Sequence, residues 1–246
     1  MWHPGIHSNM NFPTPVAVLG FLAAVAGLGL SLLTLLVLLS LHKTKWAGWI
    51  GALVGTGAVV YFGLLFGFSL GSRVVTLAPG EEKYFCEIDC HLAYSVRAGR
   101  EEIQNGQRLM HIALRTRFDE TTTSPTRPKD APLTPNPRRV LLLDGHGRTY
   151  APATMTGTPL TRSLLPAQSY ETELVFRLPA DASQLRLLLT SPGWEEHLLI
   201  GDENSLGHKK TYLALPTPEM GNGSTNSKIN VPSLRDFTQF SWPTPR

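Results

Sequence analysis

The stretch VAVLGFLAAVAGLGLSLLTLLVLLSL, residues 16–41, contains no charged side chain, and neither does WAGWIGALVGTGAVVYFGLLFGFSL, residues 46–70. At ~1.5 Å per helical residue each run reaches roughly 38 Å, enough to cross a hydrocarbon core of ~30 Å with some tilt. A helix on the surface of a soluble domain interrupts its apolar stripe with polar residues every third or fourth position, and these runs do not. Two transmembrane helices are expected, with residues 1–71 forming the anchor. Residues 1–15 carry no Lys or Arg, and the apolar part of a signal peptide spans only ~7–15 residues, so both helices are expected to be retained.

Whole-chain figures hide this division. A mean hydropathy of −0.03 and 17% charged residues would suit a soluble protein, yet nearly all the charges lie beyond Gly71. The net charge of +3 is small and no basic run occurs, so nucleic acid is not an expected partner. Orientation follows from the connector His42-Lys43-Thr44-Lys45, the basic cluster that flanks the helices. Basic loops stay in the cytoplasm, which places both termini outside. The implied location is a bacterial inner membrane, with the rest of the chain on the periplasmic side. Trp46 and Trp49 then fall at the inner interface. Neither span holds His, Asp, Glu, Lys or Arg, which proton relays, haem ligation and most transport pathways require. The helices read as scaffold, with lipid as their solvent. Gly51 and Gly55 form a G-x-x-x-G pair, extended by Gly63 and Gly67. Small residues at this spacing let helix backbones approach closely, either within the hairpin or against other membrane subunits.

Beyond Gly71 the period changes to two. Met110, Ile112, Leu114, Thr116 and Phe118 alternate with His111, Arg115 and Arg117, and Tyr170, Thr172, Leu174, Phe176 and Leu178 alternate with Glu171, Glu173 and Arg177. Half-buried antiparallel strands have this signature. Shorter strands are expected at residues 73–77, 83–86, 91–96, 140–144, 185–190, 197–200 and 211–215, separated by Gly and Pro turn signals. The economical fold is an all-β domain over residues 72–215, an antiparallel, immunoglobulin-like β-sandwich. Residues 120–137 read as a long exposed loop. The polar tail, residues 216–246, carries Phe237, Phe240 and Trp242, a composition suited to folding onto a partner.

Asp144-Gly-His-Gly147-Arg148-Thr-Tyr150, with Val175-Phe176-Arg177-Leu178-Pro179 further on, resembles immunoglobulin-like domains of bacterial membrane-anchored proteins. That resemblance covers about 50 residues and implies a fold, not an activity.

The two cysteines lie in Cys86-Glu-Ile-Asp-Cys90-His91. A disulfide suits an oxidising outer compartment. It requires a turn, since residues four apart in a straight strand are separated by ~13 Å and a disulfide wants ~7 Å or less. Copper is the second reading, because two helices followed by an outer β-domain with Cys-x-x-x-Cys resembles cytochrome oxidase subunit II. The positions where that family has its next His and Met are here Tyr94 and Arg97. A haem-attachment motif with one extra residue and a redox dithiol are further alternatives. His3 and His7, or the acidic turn Asp202-Glu203-Asn204, are weaker metal candidates. No nucleophile-elbow motif frames any Ser.

The expected function is a non-catalytic accessory subunit of a larger bacterial membrane complex of energy transduction, a photosynthetic reaction centre–antenna or a respiratory assembly. No cofactor and no enzyme activity are expected, and its partners would be other membrane subunits and the bilayer. The alternative is a copper- or haem-binding electron-transfer or metal-delivery module built on Cys86, Cys90 and His91. A third reading is an envelope sensor or adhesion module.

Overall fold

A computed structural model describes residues 7–86, 90–123, 126–128 and 130–216. The chain begins with a two-residue strand, β1 (His7–Ser8), and then forms two long helices, α1 (Thr14–Ser40) and α2 (Thr44–Leu70). Both are long and apolar enough to cross a membrane, and almost none of their surface is covered by the rest of the chain. Pro15 opens α1, where a missing N–H is harmless. His42, at φ 56°, reverses the chain, and the Lys43 N–H donates to the Leu38 carbonyl to close α1. In α1 the hydroxyls of Thr34 and Ser40 donate to the carbonyls of Leu30 and Leu36, so neither is left unsatisfied on an apolar face.

The β-rich domain that follows consists of two sheets around one core. Its strands are β2 (Val75–Leu77), β3 (Lys83–Phe85), β4 (Leu92–Gln104), β5 (Gln107–Phe118), β6 (Arg139–Leu143), β7 (Thr149–Tyr150), β8 (Thr154–Gly157), β9 (Ser169–Leu178), β10 (Arg186–Thr190) and β11 (Thr211–Ala214). The first sheet runs β1-β3-β4-β5-β9-β8 and the second β2-β11-β10-β6-β7. The period-two pattern of β5 and β9 puts Met110 opposite Phe176, Ile112 opposite Leu174 and Leu114 opposite Thr172, all facing inward. Val140, Leu142, Leu187, Leu189 and Leu213 meet them from the second sheet.

The sheets are mixed, and this corrects the purely antiparallel expectation. β1 lies parallel to β3, with His7 beside Lys83, and β2 lies parallel to β11, with Val75 beside Thr211. The cause is topological. Parallel neighbours need a long crossover, and the helical hairpin lies on the chain between β1 and β3. Residues 7–12 thus belong to the β-rich domain although they precede both helices.

Other differences have local causes. β4 continues to Gln104, well past the expected end at Val96, because a bulge between Val96 and Ala98 resets its alternation. The extension is an exposed hairpin closed by Asn105 and Gly106, at φ 51° and 74°, the left-handed pair of a type I′ turn. The strand expected at residues 197–200 is instead a short 3-10 turn, Glu195–Leu198. β8 was not expected, since Thr154-Met155-Thr156-Gly157 is an exposed edge with no apolar alternation.

Because Phe176 is fully buried against both sheets, Phe176→Ala should cost ~3–5 kcal/mol of stability. Ile103→Ala, on the exposed hairpin, should change it by no more than ~0.5 kcal/mol. Denaturant titration of the full chain in mild detergent reads both, and similar losses would place Ile103 in a core.

Candidate functional site

A cluster of buried polar groups gathers where the helices meet the sheets. Asn9 organises the region. Its Oδ1 accepts from the Cys86 N–H at 2.8 Å and its Nδ2 donates to the Asp202 carboxylate at 3.0 Å. Its backbone joins both sides as well, with Asn9 N–H on the Tyr84 carbonyl and Glu203 N–H on the Asn9 carbonyl. Two residues on, the Asn11 N–H donates to Gly201 O at 2.8 Å and the side chain donates to Phe68 O at 3.1 Å, at the top of α2. The ring of Phe12 packs edge-on against Phe68, with centroids 4.8 Å apart. Gly201 has φ +79°, and a Cβ there would lie 2.4 Å from that of Phe12, so only glycine fits this crossing.

Beneath this contact lies a buried ion pair. The Lys83 ammonium, with no exposure, donates to both oxygens of Glu203 at 2.7 and 2.9 Å and to the Leu189 carbonyl at 2.7 Å. Lys210 donates to the Glu203 carbonyl and to Asn204 Oδ1, both at 2.6 Å. Burial pulls the pKa of both lysines down, while Glu203 opposes that shift. Burial pushes the Asp202 carboxyl up to about 7, although the Asn204 N–H donates to it at 2.7 Å. Glu196 is also raised by burial, against the pull of its hydrogen bond from Asn204.

This arrangement answers the metal question for Asp202-Glu203-Asn204. The oxygens of Glu203 and Asn204 are taken by the Lys83 and Lys210 ammonium groups, and the Asp202 carboxylate accepts from the Asn9 side chain and the Asn204 N–H. Among the described residues no group of three or more His, Cys, Asp or Glu side chains is placed to hold a metal ion. His7 pairs along β1, and His3 lies outside the described residues.

Cys86 and Cys90 form a disulfide with Cα atoms 4.1 Å apart, and the bridge packs with Met10, Ala17, Phe12 and Leu199 under the start of α1. Sulfurs bonded to each other offer no thiolate to copper. His91 faces elsewhere: its Nδ1 lies 2.7 Å from Thr122 Oγ1 and its ring stacks on Phe118. The three residues of the motif therefore do not converge.

Gly51, Gly55, Gly63 and Gly67 all lie on exposed helix surface, and a Cβ at any of them would meet no atom within 4 Å. The gap between the helices, of about 360 Å³, is lined by other residues: Ala23, Ala24 and Gly27 on α1 and Val54, Gly57 and Ala58 on α2, with Leu198 from the β-rich domain. Phe237, Phe240 and Trp242 lie outside the described residues.

The Asp144 motif is a turn lock. Its carboxylate accepts from the backbone of His146 and Arg148, from Arg148 Nε and from the Tyr150 hydroxyl. Burial alone would raise its pKa, but these hydrogen bonds hold the carboxyl well below the usual range. The role is structural. Comparison with protein-family models, curated proteins and solved structures returns no match.

Sequence reasoning did not single out Asn9, Lys83, Leu198 or Gly201. One lysine in an apolar strand looks like an outward-facing residue, and nothing in its spacing points to a buried partner 120 residues away.

Lys83→Met leaves Glu203 buried without its main counter-charge and should cost ~3–5 kcal/mol. The double variant Lys83→Met with Glu203→Leu should recover most of that loss, as read by denaturant midpoints. Equal loss in both would mean that the charge pairing is irrelevant. Between the ordinary carboxylate range and about 7, folded Asp202 keeps a proton that the unfolded chain releases. The Asp202 contribution to stability therefore falls as pH rises from ~4 towards neutrality. Asp202→Asn should remove this component, so the stability difference between wild type and variant should decline over that window and level off above it. A pH-independent difference would contradict the assignment.

Proposed function

We propose that this chain is a non-catalytic, membrane-anchored accessory subunit that stabilises a larger bacterial membrane complex of energy transduction, such as a photosynthetic reaction centre–antenna or respiratory assembly. In this reading α1 and α2 cross the inner membrane. The basic connector faces the cytoplasm, and an immunoglobulin-like sandwich stands on the periplasmic side. The observation that carries the proposal is the spare glycine surface. Gly51, Gly55, Gly63 and Gly67 do not line the gap between the helices and leave backbone open for a close approach. Helix association in lipid depends on such approach, because the hydrophobic effect does not drive it there. The choice of an energy-transducing complex rests on the layout shared with oxidase subunit II. The buried carboxylates of Asp144, Asp202 and Glu203 and the Lys83 ammonium are hydrogen-bonded within the domain, which favours a supporting role over chemistry. The metal-centre alternative loses its ligands to the disulfide.

Gentle detergent extraction of the full chain should recover it bound to other membrane subunits. Gly55→Leu and Gly63→Leu should each weaken that association about tenfold or more, ~1.4 kcal/mol, without lowering the unfolding midpoint of the outer domain. Recovery of the wild-type chain alone as a monomer would end the proposal.

A further inference from the structure

The turn after β10 reaches far down the helices. The Tyr61 hydroxyl donates to the Leu198 carbonyl at 2.7 Å. Tyr61 precedes the outer end of α2, Leu70, by nine residues, or ~14 Å of helix. Leu198 lines the same interhelical gap as Phe21 and Ala24. One turn higher, Val18 borders a second groove, of about 440 Å³, together with Glu195, Glu196 and Leu199. Val18 is four residues into α1, ~6 Å below its start. The two outer ends are level, since Asn11 and Phe12 touch Phe68.

These distances fix a depth. Each helix has 27 residues and is ~40 Å long, so a centred ~30 Å hydrocarbon core leaves ~5 Å beyond each face. The level of Val18 is then the boundary between acyl chains and headgroups. Trp194 adjoins Glu195, which shares that groove with Val18, and is 71% exposed, as Trp46 and Trp49 are at the opposite end, at 65% and 75%. Counted along α2, Trp49 and the level of Val18, near Phe66, are ~26 Å apart, close to the thickness of the hydrocarbon core. Of the two acidic neighbours, Glu196 is turned inward onto Asn204 at 2.6 Å, while Glu195 is exposed and would stand among the headgroups, where a carboxylate keeps its water.

We propose that the turn bearing Trp194 and Leu198 is a foot on the membrane: Trp194 sits in the outer headgroup boundary and Leu198 below it, completing an aromatic belt whose inner half is Trp46 and Trp49. The occupant of this surface is lipid, because the turn is continuous with the apolar helix surface and lies at a depth where lipid is the solvent. Tryptophan is suited to the place, with an apolar body and a polar N–H. The proposal rests on the reading of α1 and α2 as membrane-spanning.

Two variants of the full chain, reconstituted in phosphatidylcholine vesicles, test it. One keeps only Trp194, with Trp2, Trp46, Trp49 and Trp242 each replaced by Phe. The other keeps only Trp49, with Trp2, Trp46, Trp194 and Trp242 replaced. The probes are lipids brominated near the headgroup end or near the terminus of the acyl chain. Trp194 emission should fall by about half or more with the shallow bromines and less with the deep ones, as for an interfacial residue. Quenching of Trp49 without quenching of Trp194 would overturn the foot and leave the anchor standing. Failure of both to respond would remove the membrane reading and the foot with it.

Discussion

A helical hairpin returns the chain to the side from which it left, and the architecture of this protein is arranged around that return. Residues 7–12 enter α1 from the edge of one sheet, and α2 leads through Gly71 into β2, at the edge of the other. The two sheets therefore meet the helices through both of their ends. A single connecting strand would act as a tether about which the domain could swing. Two connections on opposite sheets, tied across by Asn9, Asn11 and Gly201, oppose that rotation.

Burial of Lys83 with Glu203 belongs to the same constraint. A buried ion pair is weak as a source of net stability, because desolvation offsets most of its attraction. It is strict about position, though, since displacing either partner by a few ångströms leaves a bare charge in a dry interior. Lys83 lies on the strand beside β1, and Glu203 lies in the loop that meets the segment leading into α1. The pair thus penalises any docking of the 199–205 loop other than the one observed.

Much of this was legible from the chain alone. The helices are plain because each apolar run is long and free of charge, and their ends lie within about two residues of the expected bounds. β5 and β9 are plain because each has one face in the core. The parallel pairings were not legible, since they depend on which edge a two-residue strand such as His7–Ser8 finds after the hairpin has formed. The Asn105-Gly106 hairpin did carry a local signal, but its polar flanks lack the alternation that marks half-buried strands. For the candidate site, the cysteines were visible and their bridging stereochemically possible. The buried charges were hidden, because a lysine and a glutamate far apart in sequence look like surface residues until the fold brings them together.

The parallel pairing of β2 with β11 also has a mechanical consequence. β2 is held at its start by α2, and β11 continues at its far end into Leu215 and Pro216, the latter resting on Gly99. A pull on the chain beyond Pro216, resisted by the helices, therefore drags the two strands past each other along their length. Loading in shear strains all the hydrogen bonds of the pair together, whereas peeling would break them one at a time. The strand pair that joins the helices to the tail is thus oriented to bear tension.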